Sequence, residues 1–416
     1  MVTPQIEPSS SDAQKFIGLF RGDEGSRFHR MIDVITNGQV LLPVGEIAKT
    51  DVRIQKGVLA EVAPGLKGKH ILDAQGGYVL PGFIDLHCHG MGFFSLEKGS
   101  LSEWAALEAQ QGATRFFPTL FGPPENLIGL MTQHLRETDQ LRATPQVGGF
   151  RLESPYLAQT GAGRSEDLAR ITPELTDRLL TAGGGHIRIW DLSPELNGAT
   201  ETIRNLSGQG VACSLAHTRA TIEQARAAVD AGARLVTHLF DTFAVPEMTD
   251  PGVYPAGLVD YLLVEDRVTC EIIADGTHVH PLLVEKALRC KGPEGVVFVT
   301  DSNYGAGLPP GDYRLPAGWG EARIGDRNNG VRLIARGLVL AGSALTPLNC
   351  FQNAVRLFGK SLAVASRLCS ANPARLMGLN AGTLAVGRDA DLVILDADLN
   401  LKATIVAGQC LWGDQG

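Results

Sequence analysis

The pattern of hydrophobic and polar positions changes twice along this chain. Residues 31–74 form short alternating segments separated by turn residues, and such alternation predicts antiparallel β-strands. The same pattern returns near the other end, at 390–408. Two β-rich ends around a different middle predict one small β-sandwich domain, built from residues 31–78 and 380–416. Residues 1–30 are polar and weakly patterned, and we expect them to form an N-terminal arm.

The middle of the chain, residues 79–379, alternates apolar segments with helical patterns such as 222–231 and 281–290. This alternation is typical of parallel β/α units. The predicted strands lie at 83–89, 114–120, 149–156, 187–193, 211–217, 234–240, 269–274 and 296–301. Eight such units fit an α/β fold of the (β/α)8 TIM barrel type. A doubly wound open sheet is the alternative, but no glycine-rich phosphate loop follows the first strand.

The composition narrows the class of protein. The chain has 416 residues, of which 44% are hydrophobic, and a net charge of −8. We expect no nucleic acid partner, because a phosphate backbone is bound by clustered Lys and Arg. We also expect no membrane partner, because no apolar run approaches the roughly 20 residues that span a bilayer. The cysteines lack CxxC spacing, which indicates reduced thiols in a cytoplasmic protein.

Residue types that bind metals cluster at the predicted strand ends. His87 and His89 end the first strand, and side chains two positions apart project to the same face. In a barrel, functional groups come from the C-terminal ends of the strands. At or just after these ends lie His87, His89, His217, His238, His278 and Asp301, and the third strand carries Glu153. Mixed imidazole and carboxylate ligands predict a divalent metal, with Zn²⁺ as the leading candidate and Fe²⁺, Mn²⁺ or Co²⁺ as alternatives.

A family resemblance rests on strings of sequence that occur in order and with matching spacing. They are PGFIDLHCHG, RLESPYLA, LAHTRAT, VTHLFD, EIIADGTHVHP, VFVTDSNYGAGLP, LAGSALT and NPARLMGLNAGTLAVGRDADLVILD. From about Asn37 onward, the chain resembles the N-acetylglucosamine-6-phosphate deacetylases of the amidohydrolase superfamily. The resemblance implies a metal-dependent barrel, a small terminal β-sandwich, a homodimer, and hydrolysis of the N-acetyl amide of an amino sugar or a related compound.

The resemblance also implies roles for single residues. It implies Asp301 as the catalytic acid/base and a further metal ligand, and His278 as a contact to the acyl carbonyl of the substrate. The resemblance implies that Glu153, His217 and His238 bind one metal ion. It also implies that His87 and His89 match the pair of ligands that some members use for a second ion and other members lack. The backbone segment implied to line the sugar pocket is Leu340, Ala341 and Gly342. Whether one or two ions bind stays open.

The chain departs from this family at the positions implied for the sugar phosphate. Asp241 and Thr242 stand where the family usually has Asn-Ala, and 248–252 has no cation where the family has an Arg. Each lost donor to a phosphate would cost about 1.5–3 kcal/mol, and a carboxylate facing a phosphate repels it. Our hypothesis is therefore a substrate without the 6-phosphate, with an amine or hydroxyl bound by Asp241. Arg164 is either one bidentate contact to the substrate or a surface residue.

Two alternatives of different kinds stay open at this point. N-acyl-D-amino acid deacylation, or opening of a cyclic amide, would use a similar metal site. An acyl-amino acid would need an Arg for its carboxylate, and only Arg164 and Arg219 are candidates. A non-catalytic barrel is the remote alternative, because it predicts a loss of ligands and here the ligand set and Asp301 are all present.

Overall fold

The computed structural model describes residues 30–136, 146–248, 250–315, 318–325 and 330–413. The strands of these residues are β1 (Arg30–Met31), β2 (Val34–Leu41), β3 (Ile47–Gln55), β4 (Val58–Ala63), β5 (Ile71–Asp73), β6 (Tyr78–Pro81), β7 (Phe83–Cys88), β8 (Ala113–Leu120), β9 (Phe150–Leu152), β10 (Ile187–Leu192), β11 (Ala212–Leu215), β12 (Leu235–Val236), β13 (Thr269–Ile273), β14 (Val296–Val299), β15 (Gly311–Leu315), β16 (Gly320–Ile324), β17 (Val331–Leu333), β18 (Val339–Leu340), β19 (Leu392–Leu395), β20 (Leu401–Val406) and β21 (Gln409–Gly413). The α-helices are α1 (Leu101–Ala109), α2 (Pro124–Arg136), α3 (Pro173–Gly183), α4 (Ala199–Gly208), α5 (Ile222–Ala231), α6 (Leu258–Val264), α7 (Pro281–Lys291), α8 (Pro347–Arg356), α9 (Leu362–Ser366) and α10 (Asn372–Met377).

The central element is a parallel barrel made of β7 to β14, each strand pairing with the next along the chain. The barrel closes between its last and first strands, where the Asp301 amide donates to the His87 carbonyl at 2.9 Å and the His89 amide donates to the Ser302 carbonyl at 2.7 Å. Strands of this kind are apolar on both faces because helices cover the outside, and β14 is buried throughout. The predicted TIM barrel is confirmed, since each predicted segment overlaps one of these strands.

The helices around the barrel have ordinary sequence signals at their ends. Helix α5 begins after Thr221, whose hydroxyl accepts from the Gln224 amide while the Gln224 side chain accepts from the Thr221 amide. This reciprocal capping box satisfies backbone donors that the first turn leaves unpaired. Helix α5 ends before Gly232, which adopts a φ of +125°. Among the described helices, none is both long and apolar enough to cross a bilayer.

A second sheet is built from both chain ends, as the alternating pattern predicts. Its order is β1-β21-β20-β19-β6-β2-β3-β4, and β5 also pairs with β2. The two ends meet where β19 runs antiparallel to β6. Its core includes the fully buried Val52, Leu392 and Ile405. The residue bounds predicted for the domains stay a prediction, and residues 1–29 of the predicted N-terminal arm lie outside the described residues.

A third, four-stranded antiparallel sheet of β15 to β18 lies beside the loop that follows β14. The pattern of alternating residues did not predict this sheet. Its inner residues, such as Ala322 and Ile324, form a small core with Tyr304 from that loop. After β18 the chain reaches the end of β14, where Asn303 Nδ2 donates to the Ala341 carbonyl at 3.0 Å. The third sheet therefore places 340–342 next to Asp301.

Helix α1 contains a buried carboxyl group, that of Glu108, which should make the stability of the protein depend on pH. Trp104 Nε1 donates to Glu108 Oε1 at 2.9 Å, and Oε2 has no hydrogen-bond partner among the described residues. Burial, together with the charge of Asp85, raises the pKa of Glu108 well above its usual range. The folded state therefore binds more protons here than the unfolded state, and stability is lost as pH rises above the unfolded pKa of about 4.5.

Glu108→Gln keeps the acceptor for Trp104 and removes this titration. We expect the variant to gain stability over the wild type between pH 5 and pH 8, by up to about 1.4 kcal/mol per pH unit. Urea unfolding of both proteins across this range measures the difference. Parallel curves of unfolding free energy against pH would show that Glu108 is not protonated in the folded state.

Candidate metal centre

The candidate residues lie at the C-terminal end of the barrel, and the backbone there is unusual. His217, His238 and Asp301 follow β11, β12 and β14 with φ values of +46°, +27° and +46°. Residues other than glycine rarely adopt such values, which cost of order 1–3 kcal/mol and cluster at functional sites. These three strained positions bring side chains from separate strands into one buried cluster.

The centre of this cluster is the carboxylate of Glu153, which follows β9. Its Oε1 lies 2.9 Å from His217 Nε2 and 3.2 Å from His238 Nε2. Its Oε2 lies 3.0 Å from His89 Nε2 and 3.7 Å from His87 Nε2. All these side chains are buried or nearly so. One carboxylate therefore faces four imidazoles through their Nε2 atoms.

A second carboxylate completes the cluster. Asp301 Oδ1 lies 3.4 Å from the Nε2 atoms of both His87 and His89, and these two nitrogens are 3.2 Å apart. The ligand atoms of His87, His89 and Asp301 lie within 4.8 Å of one another, as do those of His87, Glu153 and His238. Ligands at zinc-bond length from one tetrahedral ion are about 3.4 Å apart. The donor types and their spacing fit one or two divalent cations.

The electrostatics of the cluster are dominated by its two carboxylates. Burial alone would raise the pKa of Asp301, but the charge of His87 and the hydrogen bond and charge of His89 lower it to about 2. The pKa of Glu153 is well below its usual range, because His87 and hydrogen bonds from His217 and His238 outweigh burial. Both carboxylates are therefore ionised near neutral pH. Their hydrogen bonds and charges outweigh burial and raise the pKa values of His89 and His238 to about 10, so a cation that binds here displaces protons from these imidazoles.

His278 is held beside this cluster by a carboxylate of its own. Its Nδ1 lies 2.7 Å from Asp275 Oδ2, and Asp275 Oδ1 accepts from the His278 amide at 2.9 Å. Burial alone would lower the pKa of His278, but the hydrogen bond and charge of Asp275 raise it, with smaller contributions from Asp241 and Asp301. Asp275 therefore fixes the ring, and the raised pKa of His278 favours its protonated form, in which Nε2 also carries a hydrogen that it can donate.

Comparison with known proteins identifies the family of this chain. Residues 78–411 match the model of the amidohydrolase family. The chain belongs to the amidohydrolase family. Over 388 residues it is 32% identical to N-acetylgalactosamine-6-phosphate deacetylase from Escherichia coli O157:H7, covering 91% of this chain and 99% of the relative. It is 30% identical to human N-acetylglucosamine-6-phosphate deacetylase over 411 residues, covering 94% and 98%.

Solved structures agree with the sequence relatives of this amidohydrolase. N-acetyl-D-glucosamine-6-phosphate deacetylase from Mycobacterium smegmatis superposes with a TM-score of 0.80 at 31% identity, covering 91% of this chain and 100% of that one. A mutant of that enzyme in complex with N-acetyl-D-glucosamine-6-phosphate gives a TM-score of 0.81 at 31% identity, covering 92% and 100%. The predicted family, the barrel, and an enzyme that hydrolyses an amide C–N bond in the manner of these deacetylases are confirmed.

The residues predicted to bind substrate lie in different surroundings in this amidohydrolase. Asp241 is partly exposed, with Oδ2 4.0 Å from His238 Nδ1, and the Thr242 carbonyl accepts from Gln159 at 2.6 Å. Arg164 is exposed and hydrogen bonds to Asp167 at 3.2 Å. The backbone segment reaches the centre directly, since a Cβ on Gly342 would lie 2.6 Å from the Asp301 carbonyl oxygen. Their roles stay predictions.

Four charged residues near the centre were missed by the sequence analysis. Asp275 lies in the string that contains His278, and the others lie inside buried strands: Arg151 in β9, Asp191 in β10 and Glu271 in β13. A signal was present, because a charge flanked by apolar residues in a buried strand needs a partner inside the barrel. Such a signal shows that a partner exists, but it does not identify that partner.

Proposed function

We propose that this protein is a cytoplasmic, metal-dependent deacetylase that hydrolyses the N-acetyl amide of an amino sugar or a close relative of one. The observation that carries the proposal is the convergence of four imidazoles on Glu153, with the Asp301 carboxylate against the same cluster. The relatives named as deacetylases of N-acetylgalactosamine 6-phosphate and N-acetylglucosamine 6-phosphate support the substrate class.

Five residues besides Asp301 would hold the metal. Glu153, His217 and His238 would hold one ion. His87 and His89 would hold a second with Asp301, and Glu153 would be within reach of both. Zinc is the first choice because it accepts imidazole and carboxylate ligands and tolerates low coordination numbers. A cation held there would supply Lewis-acid chemistry, since it lowers the pKa of water and draws charge from an acyl oxygen.

Asp301 would carry the proton during hydrolysis. Its carboxylate is ionised, nearly buried and next to the imidazoles of His87 and His89, so it can accept a proton from the attacking water. It would then deliver that proton to the amide nitrogen, because an amine leaves poorly unless it is protonated. A buried carboxylate that faces a solvent-excluded cluster is suited to this transfer.

His278 would stabilise the developing negative charge on the acyl oxygen. Asp275 accepts from its Nδ1, and the raised pKa of His278 favours the protonated ring, whose Nε2 also carries a hydrogen to donate. A preorganised donor of this kind typically contributes about 10²–10³-fold to kcat. The segment at 340–342, placed by the third sheet, would line the sugar pocket. Arg164 and Arg219 are engaged with Asp167 and Gln159, so the geometry gives no support to an acyl-amino acid as substrate.

We also propose that the preferred substrate lacks the 6-phosphate. Asp241 contributes negative charge at both His238 and His278, so it lies close enough to the centre to act on a substrate there. A phosphate near it would be repelled, whereas a hydroxyl or ammonium group would be attracted. Arg164 does not offset this charge, because its guanidinium is paired with Asp167 and Glu166.

Acetate release from phosphorylated and unphosphorylated N-acetyl sugars tests both proposals. We expect kcat/KM to be higher for N-acetylglucosamine than for its 6-phosphate. Asp241→Asn is expected to raise kcat/KM for the phosphate ester by roughly tenfold, since removing one nearby charge at an effective dielectric near 20 changes the energy by more than 1 kcal/mol. A clear preference of the wild type for the phosphate ester would overturn the second proposal, and no acetate release from any sugar would overturn the first.

We further propose that the protein is a homodimer. After β12, the described residues at 243–248 and 250–255 expose several large apolar side chains, namely Val245, Met248, Val253 and Tyr254. Several large apolar side chains exposed along one segment near a site suggest an interface. A second copy covering this segment would also shield the edge of the site next to Asp241 and Thr242.

A further inference from the structure

A guanidinium is completely buried inside the barrel beneath the metal centre. Arg151 lies two residues before Glu153, and alternate residues of a strand point to the same side. Its side chain forms two bidentate pairs: one with Asp191, at 3.0 and 3.0 Å, and one with Glu271, at 2.7 and 2.9 Å. Planar, bidentate pairing of this kind gives geometric specificity as well as energy.

The same guanidinium also contacts the neighbours of two candidate ligands. It donates to the Leu86 carbonyl at 2.9 Å, one residue before His87, and to Thr237 Oγ1 at 3.0 Å, one residue before His238. Through these contacts and its two carboxylate partners, Arg151 links the chain at five of the eight barrel strands. Its hydrogen bonds therefore hold together the parts of the chain that precede His87, Glu153 and His238.

One of the two carboxylates also faces a ligand directly. Glu271 Oε2 lies 3.8 Å from His87 Nδ1, a buried nitrogen without a hydrogen-bond partner among the described residues. Burial alone would raise the pKa of Glu271, but the charge of Arg151 and its hydrogen bonds, together with the charge of His87, keep it low, at about 2. Glu271 is thus a fixed negative charge on the side of the imidazole that faces away from Glu153.

We propose that Glu271, held by Arg151, is a positioning residue for the metal centre. A carboxylate beside Nδ1 favours the tautomer with the proton on that nitrogen, which leaves the Nε2 lone pair of His87 directed at Glu153 and Asp301, where the cation would lie. Asp191 binds the same guanidinium and serves as its second anchor. This inference rests on the proposed metal centre and adds the residue that orients one of its ligands.

Glu271→Gln tests the proposal, with Asp191→Asn as a matched variant that removes the other carboxylate from the same guanidinium. We expect Glu271→Gln to weaken zinc binding about 10–100-fold, the usual effect of losing a partner of a ligating histidine, as measured by competition with a chromophoric chelator. Asp191→Asn should change the affinity less than about threefold, although both variants lower the melting temperature of the metal-free protein. A merely structural role of Glu271 would lower that temperature and leave the zinc affinity unchanged.

Two outcomes of the titration overturn the proposal: an unchanged zinc affinity in Glu271→Gln, or an equal loss in both variants. If Glu271→Gln does not fold, the wild type still decides. Long-range ¹H–¹⁵N spectra of the zinc-loaded protein should show His87 with its proton on Nδ1, and a proton on Nε2 would refute the assignment. A wild type that binds no zinc would instead refute the proposed metal centre, so the two failures are distinguishable.

Discussion

Replacing Asp301 with Asn is expected to lower kcat for N-acetyl hydrolysis by about 10²–10⁴-fold, the usual contribution of a positioned acid/base. Asn has nearly the same shape but cannot accept a proton. KM should stay within about threefold, because an interaction that acts mainly in the transition state is lost from kcat. Steady-state acetate release on the best sugar of the panel measures both constants.

The control for this experiment is Asp312→Asn, which removes a carboxylate from an exposed pair with Arg323. Its kcat should match the wild type. Asp301→Asn should still retain the ion held by Glu153, His217 and His238, so metal content separates lost chemistry from loss of that ion. Wild-type turnover in a folded, metal-loaded Asp301→Asn protein would remove Asp301 from the mechanism.

The sequence was sufficient to predict the barrel and the cluster, because the strands of a barrel recur along the chain in a recognisable pattern. Parallel strands buried on both faces give apolar runs, and the barrel rule places whatever follows each run at one rim. His217, His238 and Asp301 each follow such a run. The structure brings these residues, with His87, His89 and Glu153, within hydrogen-bond or ion-pair distance of one another.

The remaining features depend on pairings that the pattern does not specify. The inner residues of β15 to β18 pack on a loop rather than on a face of the barrel. Their apolar pattern therefore reflects a small local core, and it gives no sign that this sheet lies next to the site. Arg151 meets Glu271 across 120 positions of sequence. A buried charge predicts that a partner exists, but only the register of the barrel determines which carboxylate it is.

Glu153→Gln is expected to abolish both high-affinity metal binding and activity. The two oxygens of Glu153 are contacted by four imidazoles, so an amide at this position removes the central charge and places an NH₂ group against nitrogen ligands. The wild type should lose activity with a chelator and regain it with added Zn²⁺. The variant should recover less than about 1% of wild-type kcat at any zinc concentration.

A thermal readout makes this prediction independent of activity. A ligand that binds only the folded state stabilises it by about 2.7 kcal/mol at one hundred times its Kd, so zinc should raise the melting temperature of the metal-free wild type. Glu174→Gln, an exposed substitution in the first turn of α3, should show the same rise, and Glu153→Gln should show little or none. An equal rise in all three proteins would place the bound zinc elsewhere, since the carboxylate at the centre of the cluster would then contribute nothing to holding it.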